Sequence, residues 1–181
     1  MRCPLTARFI CLALASPLLG AAGDGQREPI LASAVVAVRP SNLAAASVLQ
    51  PFIERMLRSS PTFNRQCTRL AAAQRLKVVM RLEERQRRPS FYARTVFERR
   101  DGVLVAADVF LSPTPDAVER IAHEVEHVLE QLDGVDLAAQ VGSGNVWKRE
   151  DGAFETRRAT DAGRRVAREV KLRMDSSERQ R

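Results

Sequence analysis

The sequence contains few cysteines and few aromatic residues, and it has no long hydrophobic run after its N-terminal segment. Three cysteines among 181 residues are too few for a disulfide scaffold. The lack of a later apolar run of about 18 residues excludes a protein that crosses a membrane many times. Hydrophobic residues make up 45% of the chain and charged residues 28%, which is typical of a globular protein rather than a disordered one.

Lysine is also scarce, so arginine supplies most of the net charge of +7. A basic protein can bind nucleic acid, but here the arginines are scattered and aromatic residues make up only 5% of the chain. We therefore expect no nucleic-acid partner. An arginine-rich face on the last predicted helix leaves binding to an anionic surface as an alternative.

Residues 1–22 predict a secretory signal peptide. Arg2 and Arg8 form a positive region, residues 9–19 are largely apolar, and small residues precede a cleavage site after Ala22. The alternative is a signal anchor, although the apolar stretch is short for spanning a bilayer. We expect an exported protein, periplasmic or extracellular, with no stable membrane insertion after cleavage and with Cys67 as its single cysteine.

The rest of the chain predicts one α+β domain over residues 23–175, followed by a frayed tail at 176–181. Residues 76–83 alternate between apolar and polar side chains, as a half-buried strand does. Asp101 and Gly102 predict a tight hairpin between strands at residues 91–99 and 103–111. We also expect a strand at 30–38, a helix from Pro51 and a helix at 62–73. These elements would form a small, mainly antiparallel sheet.

A helix with a chemical motif follows that hairpin. Thr114 is the expected N-cap and Pro115 the first helical residue, and Gly134 ends the pattern. Apolar residues recur at helical spacing over residues 118–132. The sequence His-Glu-Val-Glu-His spans residues 123–127 and contains both histidines of the chain.

This spacing is suited to binding zinc. His123 and His127 are four residues apart, so both imidazoles lie on one face of a helix, and Glu124 beside them can accept a proton from metal-bound water. That face is opposite the apolar stripe and would therefore border a cleft. A solvent-exposed helix that contains these residues by chance is the alternative interpretation.

Zinc at a catalytic site needs a third protein ligand. The chain has no third histidine, so the ligand must be a carboxylate, with Cys67 as the only other soft candidate. Asp133 lies six residues after His127, a spacing similar to that of the metzincins. Their pattern, however, has glycine three residues after the second histidine, where this chain has Glu130.

Glu155 is the preferred third ligand. In a last helix predicted over residues 153–174, it falls on the apolar face formed by Ala159, Ala162, Val166 and Val170. A buried carboxylate needs a partner, and a metal held by the two histidines would provide one. Capping of the helix N-terminus or pairing with an arginine is the alternative role for Glu155.

These residues resemble the gluzincin metallopeptidases, and in particular the small members called minigluzincins, over about residues 76–173. The resemblance implies zinc held by His123, His127 and a glutamate on a later helix, here Glu155, with Glu124 as general base. The chain departs from the family pattern at Phe154 and Ala159, where asparagine and aspartate often stand. The histidine or tyrosine that usually stabilises the oxyanion has no obvious counterpart.

We therefore expect an exported zinc-dependent hydrolase, a metallopeptidase that acts on a peptide or protein substrate. The resemblance further implies that the strand at 103–111 pairs with an extended substrate. The alternative is a zinc-stabilised domain of the same fold that binds a partner, or has a structural role, without turnover.

Overall fold

The computed structural model describes residues 39–83 and 93–179, all within one compact unit, Val35–Arg181. The predicted signal peptide and the predicted strand at 30–38 lie outside the described residues. The described part mixes helices with a small sheet, and its four α-helices are α1 (Gln50–Ser59), α2 (Pro61–Ala72), α3 (Ala117–Leu132) and α4 (Arg157–Glu178). Its strands are β1 (Leu43–Ala45), β2 (Lys77–Leu82), β3 (Ala93–Arg100), β4 (Val103–Leu111), β5 (Val146–Lys148) and β6 (Phe154–Thr156).

The main sheet has the strand order β1-β2-β4-β3. The pairs β1–β2 and β2–β4 are parallel, and only β3–β4 is antiparallel. The prediction of a mainly antiparallel sheet is therefore wrong for these four strands. Parallel neighbours need a long crossover connection, and α1 and α2 provide one between β1 and β2. That crossover leaves no short-range signal in the sequence.

The hairpin between β3 and β4 is confirmed. Asp101 and Gly102 both have positive φ angles, 51° and 77°, as a two-residue turn of this kind requires. β4 lies between β2 and β3, however, so both of its hydrogen-bonding edges are occupied over residues 106–111. The expectation that the strand at 103–111 pairs with a substrate is therefore wrong for those residues. Within the described part of the chain, β3 and β1 are the edge strands.

Helix α3 lies at the centre of the packing. It contacts β3 and β4 on one side and the other three helices elsewhere. Ile121, Val125 and Val128 in the middle of its apolar stripe are fully buried, and Val118 and Leu132 at the two ends are partly buried. Burial of side chains of this size contributes about 1.5–3 kcal/mol each, so the helix carrying both histidines is firmly held. No helix among the described residues is both long and apolar enough to span a bilayer.

The boundaries of α3 differ from the prediction at one end only. The helix begins at Ala117 with Asp116 at the N-cap position, and no side chain caps it. Thr114, the expected cap, has a buried hydroxyl without a hydrogen-bond partner among the described residues. At the other end, Gly134 adopts φ 71° and ends the helix as predicted.

The last helix begins later than predicted. Residues 154–156 form β6, which pairs antiparallel with β5, and α4 begins at Arg157. The hydroxyl of Thr156 accepts a hydrogen bond from the Ala159 N–H, which is a standard N-cap. The helix then continues through Glu178, so residues 176–178 are helical where we expected a frayed tail.

Candidate metal centre

The two histidines face each other from successive turns of α3. Their ring centroids are 4.8 Å apart, and the two Nε2 atoms are separated by 3.1 Å. His127 is buried, and the side chain of His123 is 17% exposed. The helical spacing therefore brings both nitrogens to one point, as the sequence predicts.

Strand β6 brings Glu155 to the same point. In the β5–β6 pair it lies opposite Trp147, and its Oε1 atom is 3.3 Å from Nε2 of His123 and 3.8 Å from Nε2 of His127. Tetrahedral zinc with bonds of 2.0–2.1 Å separates its ligand atoms by about 3.3 Å. One ligand atom from each of the three residues lies within 4.8 Å of the others, so the group fits a metal ion of this kind.

The prediction that Glu155 lies on a helix is wrong, but the structure does bring Glu155 next to the two histidines. Glu155 lies on a strand, not on the inward face of a helix, and its side chain reaches both histidines from β6. Asp133 instead pairs with Arg69 and, at 2.8 Å, with Nη1 of Arg158. Cys67, on α2, is buried in the hydrophobic core. Coordination of a metal by His123, His127 and Glu155 stays a prediction.

Behind His127 lies a buried carboxylate that sequence reasoning missed. Oε2 of Glu130 is 2.8 Å from Nδ1 of His127, so the ring N–H donates to it. The other oxygen, Oε1, accepts a hydrogen bond of 2.7 Å from the hydroxyl of Thr156. Both Glu130 and Thr156 are 2% exposed. Glu130 follows His127 by three residues, a spacing that places both side chains on one helix face and could have indicated their contact.

Glu124 borders the same site from the side of the sheet. It is 4% exposed, and its Oε2 accepts a hydrogen bond of 2.6 Å from the hydroxyl of Thr95 on β3. Burial raises the pKa of Glu124, and the opposing effects of His127 and Thr95 only partly offset it. A raised pKa is suited to a group that takes up and releases a proton near neutral pH.

The charges of the metal-free site stabilise one another. Burial alone lowers the pKa of His127, but hydrogen bonds to Glu130 and Glu155 raise it to about 10. Burial raises the pKa of Glu155, but hydrogen bonds to His123 and His127 lower it to about 2. These shifts favour a protonated His127 beside an ionised Glu155, which is an ion pair that contains one proton. A divalent cation would replace that proton, because metal ligands bind in their deprotonated forms.

Two cavities meet at this site. The larger, of about 830 Å³, extends along β3 and past the end of α3, and the smaller, of about 290 Å³, lies toward the start of α3. Four residues line both, namely Ala93, Glu124, Arg149 and Glu155. Glu124 and Glu155 therefore border both cavities, while His127 lines the larger and His123 the smaller.

Close packing of α4 against α3 sets the position of His123. At Gly163 an added Cβ atom would be 2.7 Å from the carbonyl oxygen of Glu119 and 3.2 Å from Cβ of His123. Only glycine permits this approach. Glycine at position 163 therefore allows α4 to pack closely against the part of α3 that carries His123.

Comparisons of this chain with protein-family models, with curated proteins and with solved structures find no match. Function is therefore inferred from the geometry of the described residues.

Proposed function

We propose that this chain is an exported zinc-dependent hydrolase, a metallopeptidase of the gluzincin type. The observation that supports this most is the convergence of His123, His127 and Glu155 beside Glu124, at the junction of two cavities. Two imidazoles and one carboxylate are a ligand set of catalytic zinc, which leaves a coordination position for water or substrate. Zinc bound there would lower the pKa of water and polarise a carbonyl group.

Glu124 is the general base in this proposal. Its burial and raised pKa favour proton uptake, and the hydrogen bond from Thr95 fixes one of its two oxygens. The other oxygen is then free to take a proton from the attacking water and return it to the leaving amine. Because Thr95 lies on edge strand β3, a substrate bound along that strand would lie next to the base.

Arg149 is our candidate for the group that stabilises negative charge on the substrate carbonyl. Among the described arginines, it alone lines both cavities, and its side chain is 37% exposed. Its Nη2 is 3.5 Å from Oδ2 of Asp151, which leaves other guanidinium donors for a substrate oxygen. Arg149→Met should lower kcat by about 100-fold with zinc content unchanged. An unchanged kcat in this variant would remove Arg149 from the mechanism.

The larger cavity indicates how a peptide would bind. Its volume of about 830 Å³ accommodates several residues, and its apolar lining comes from Phe97, Val135, Leu137 and Phe154. We propose that β3, an edge strand of the main sheet, pairs with an extended substrate in place of β4.

The test uses the mature protein and three measurements. Zinc content is determined by elemental analysis, zinc affinity by chelator competition, and hydrolysis by mass spectrometry of a complex peptide mixture. Glu124→Gln should retain zinc and lose hydrolysis, because only the base is removed. Glu150→Gln, an exposed acid on the loop after β5, is the matched control and should behave as wild type. Hydrolysis by Glu124→Gln at the wild-type rate would contradict the proposal.

A zinc-stabilised domain without turnover is the second candidate. The observation that favours it is the extensive buried bonding around His127, in which Glu130 and Thr156 would serve a structural metal equally well. Zinc binding without hydrolysis of any peptide in the mixture would favour this candidate over the first.

Export is a separate part of the proposal, and the order of charge, apolar stretch and small residues in 1–22 supports it. Intact-mass analysis of protein recovered outside the cytoplasm should give a chain that begins at Gly23. A chain that retains residues 1–22 would contradict cleavage.

A further inference from the structure

Two buried side chains, Glu130 and Thr156, lie behind the proposed metal ligands. Glu130 uses one oxygen for Nδ1 of His127 and the other for the hydroxyl of Thr156. Its side chain is 3% exposed. A buried carboxylate with both oxygens engaged in this way is held in one orientation.

This carboxylate connects two different parts of the candidate site. On one side it contacts a proposed ligand directly, His127 of α3. On the other side it binds Thr156, the residue that directly follows the proposed ligand Glu155 in β6. We propose that Glu130 and Thr156 are positioning residues, which together fix the ring of His127 and the distance between α3 and the strand that carries Glu155. This inference rests on the proposed zinc site.

The directions of the hydrogen bonds made by Glu130 determine how it orients the ring of His127. Glu130 accepts from Nδ1 of His127, which leaves the Nε2 atom of that ring facing His123 and Glu155. Outer carboxylates that hold a histidine in this way orient the ring and increase its basicity. Without Glu130, the ring is free to rotate and its Nε2 atom is no longer held toward the other two ligands.

Thr156 has two roles that substitutions can separate. Its hydroxyl oxygen accepts from the Ala159 N–H to cap α4, and its hydroxyl hydrogen is donated to Glu130. Serine can perform both roles. Aspartate can cap the helix, but it has no hydrogen to donate and would place a second negative charge against Glu130. Valine can perform neither role.

The experiment measures zinc affinity of the mature protein by chelator competition at constant pH, with the free energy of unfolding of the metal-free protein measured beside it. Glu130→Gln should weaken zinc binding about 10- to 100-fold. Thr156→Asp should weaken it at least as much, although the helix cap is kept. Thr156→Ser should stay within about threefold of wild type, which is the rescue that the proposal requires.

Glu126→Gln is the matched control. Glu126 is a buried carboxylate on the same helix, and it accepts hydrogen bonds from Gln66 at 2.6 Å and Arg158 at 2.7 Å; among the described residues it has no hydrogen bond or ion pair with a proposed ligand. This substitution should lower the stability of the fold and leave zinc affinity unchanged. Equal losses of zinc affinity in Glu126→Gln and Glu130→Gln would mean that Glu130 is only structural, and would overturn the proposal.

A spectroscopic measurement covers the case in which a variant folds poorly. In the zinc-loaded wild-type protein, ¹⁵N NMR of the imidazoles should show a protonated Nδ1 atom on His127. Thr156→Ser should preserve that signal, and Thr156→Val should broaden or shift it. Identical spectra and identical zinc affinities in Ser and Val variants would overturn the positioning role while leaving the zinc site itself intact. Failure of the wild-type protein to bind zinc would instead overturn the proposed function together with this inference.

Discussion

Gly163→Ala tests whether the close approach of α3 and α4 builds the metal centre. Because the added Cβ would lie 2.7 Å from the carbonyl oxygen of Glu119, where ordinary contacts begin near 3.4 Å, the helices must separate by up to about 0.7 Å. A backbone oxygen within a helix cannot rotate away as a side chain can. The second contact, 3.2 Å to Cβ of His123, transmits the displacement to a proposed ligand.

Two opposing terms determine the effect on stability. Overpacking of a well-packed interior costs about 1–3 kcal/mol. Replacing glycine by alanine within a helix contributes about 0.8–1.0 kcal/mol in the other direction. We therefore expect Gly163→Ala to lower the free energy of unfolding by about 1 kcal/mol. We expect a larger effect on zinc affinity, a loss of about tenfold or more, because His123 and Glu155 come from elements on the two sides of the forced separation.

The assay is denaturant unfolding of the metal-free protein, together with chelator competition for zinc. Arg164→Ala is the control, since it changes the exposed neighbour of Gly163 and adds no atom between the helices. If Gly163→Ala instead raised stability by about 1 kcal/mol with zinc affinity unchanged, helix propensity alone would explain it. That result would show that the contact at Gly163 does not hold the metal centre in place.

Three further predictions address the ligand set, a charged contact and the core. Glu155→Gln should weaken zinc binding sharply because it removes the anionic ligand, while Asp133→Asn should retain zinc; the reverse pattern in chelator competition would exclude Glu155. Burial raises the pKa of Glu169, but hydrogen bonds from Ser60 and Thr62 outweigh burial and hold the pKa below its usual 4.5. The ionised Glu169 therefore contributes to the stability of the fold above pH 4.5, and this contribution is lost as the pH falls through the lowered pKa. The difference in unfolding free energy between wild type and Glu169→Gln, about 1 kcal/mol at pH 7 for a partly exposed group, should shrink toward pH 3; a constant difference would contradict this. Burial raises the pKa of the Cys67 thiol to about 12, so iodoacetamide should label it only on unfolding, and rapid labelling of the native protein would count against the described core.

The parts of the fold that depend on local sequence could be predicted. The apolar stripe of α3 and the Asp101-Gly102 turn are short-range signals, and both elements are present where the sequence places them. The order and direction of the strands could not be predicted in the same way. The parallel pairing of β1 with β2 depends on a crossover through α1 and α2, and the parallel pairing of β2 with β4 depends on β3 lying at the edge of the sheet; periodicity within the strands reports neither.

Glu155 shows how a residue that does lie beside the two histidines was predicted from an incorrect secondary-structure element. Glu155 was selected because it matched the apolar face of a helix that begins at Arg157, two residues later than Glu155. Thr156, which can cap a helix, was the local signal for the true start. The contact between Glu124 and Thr95 joins α3 to β3, so only the tertiary structure reveals it. The contact between His127 and Glu130 lies on one face of α3, so the sequence spacing alone could have indicated it.

The strongest physical reason to treat this group as a metal centre is that it is a poor arrangement for stability alone. Three carboxylates, from Glu124, Glu130 and Glu155, lie around two imidazoles in a largely buried site. The facing Nε2 atoms, 3.1 Å apart, repel through their lone pairs unless a proton lies between them. Apolar residues of similar volume would stabilise such a position at least as well as buried charges. A divalent cation would satisfy both nitrogens and the carboxylate of Glu155 at once, so the arrangement is better suited to holding such an ion than to stabilising the fold.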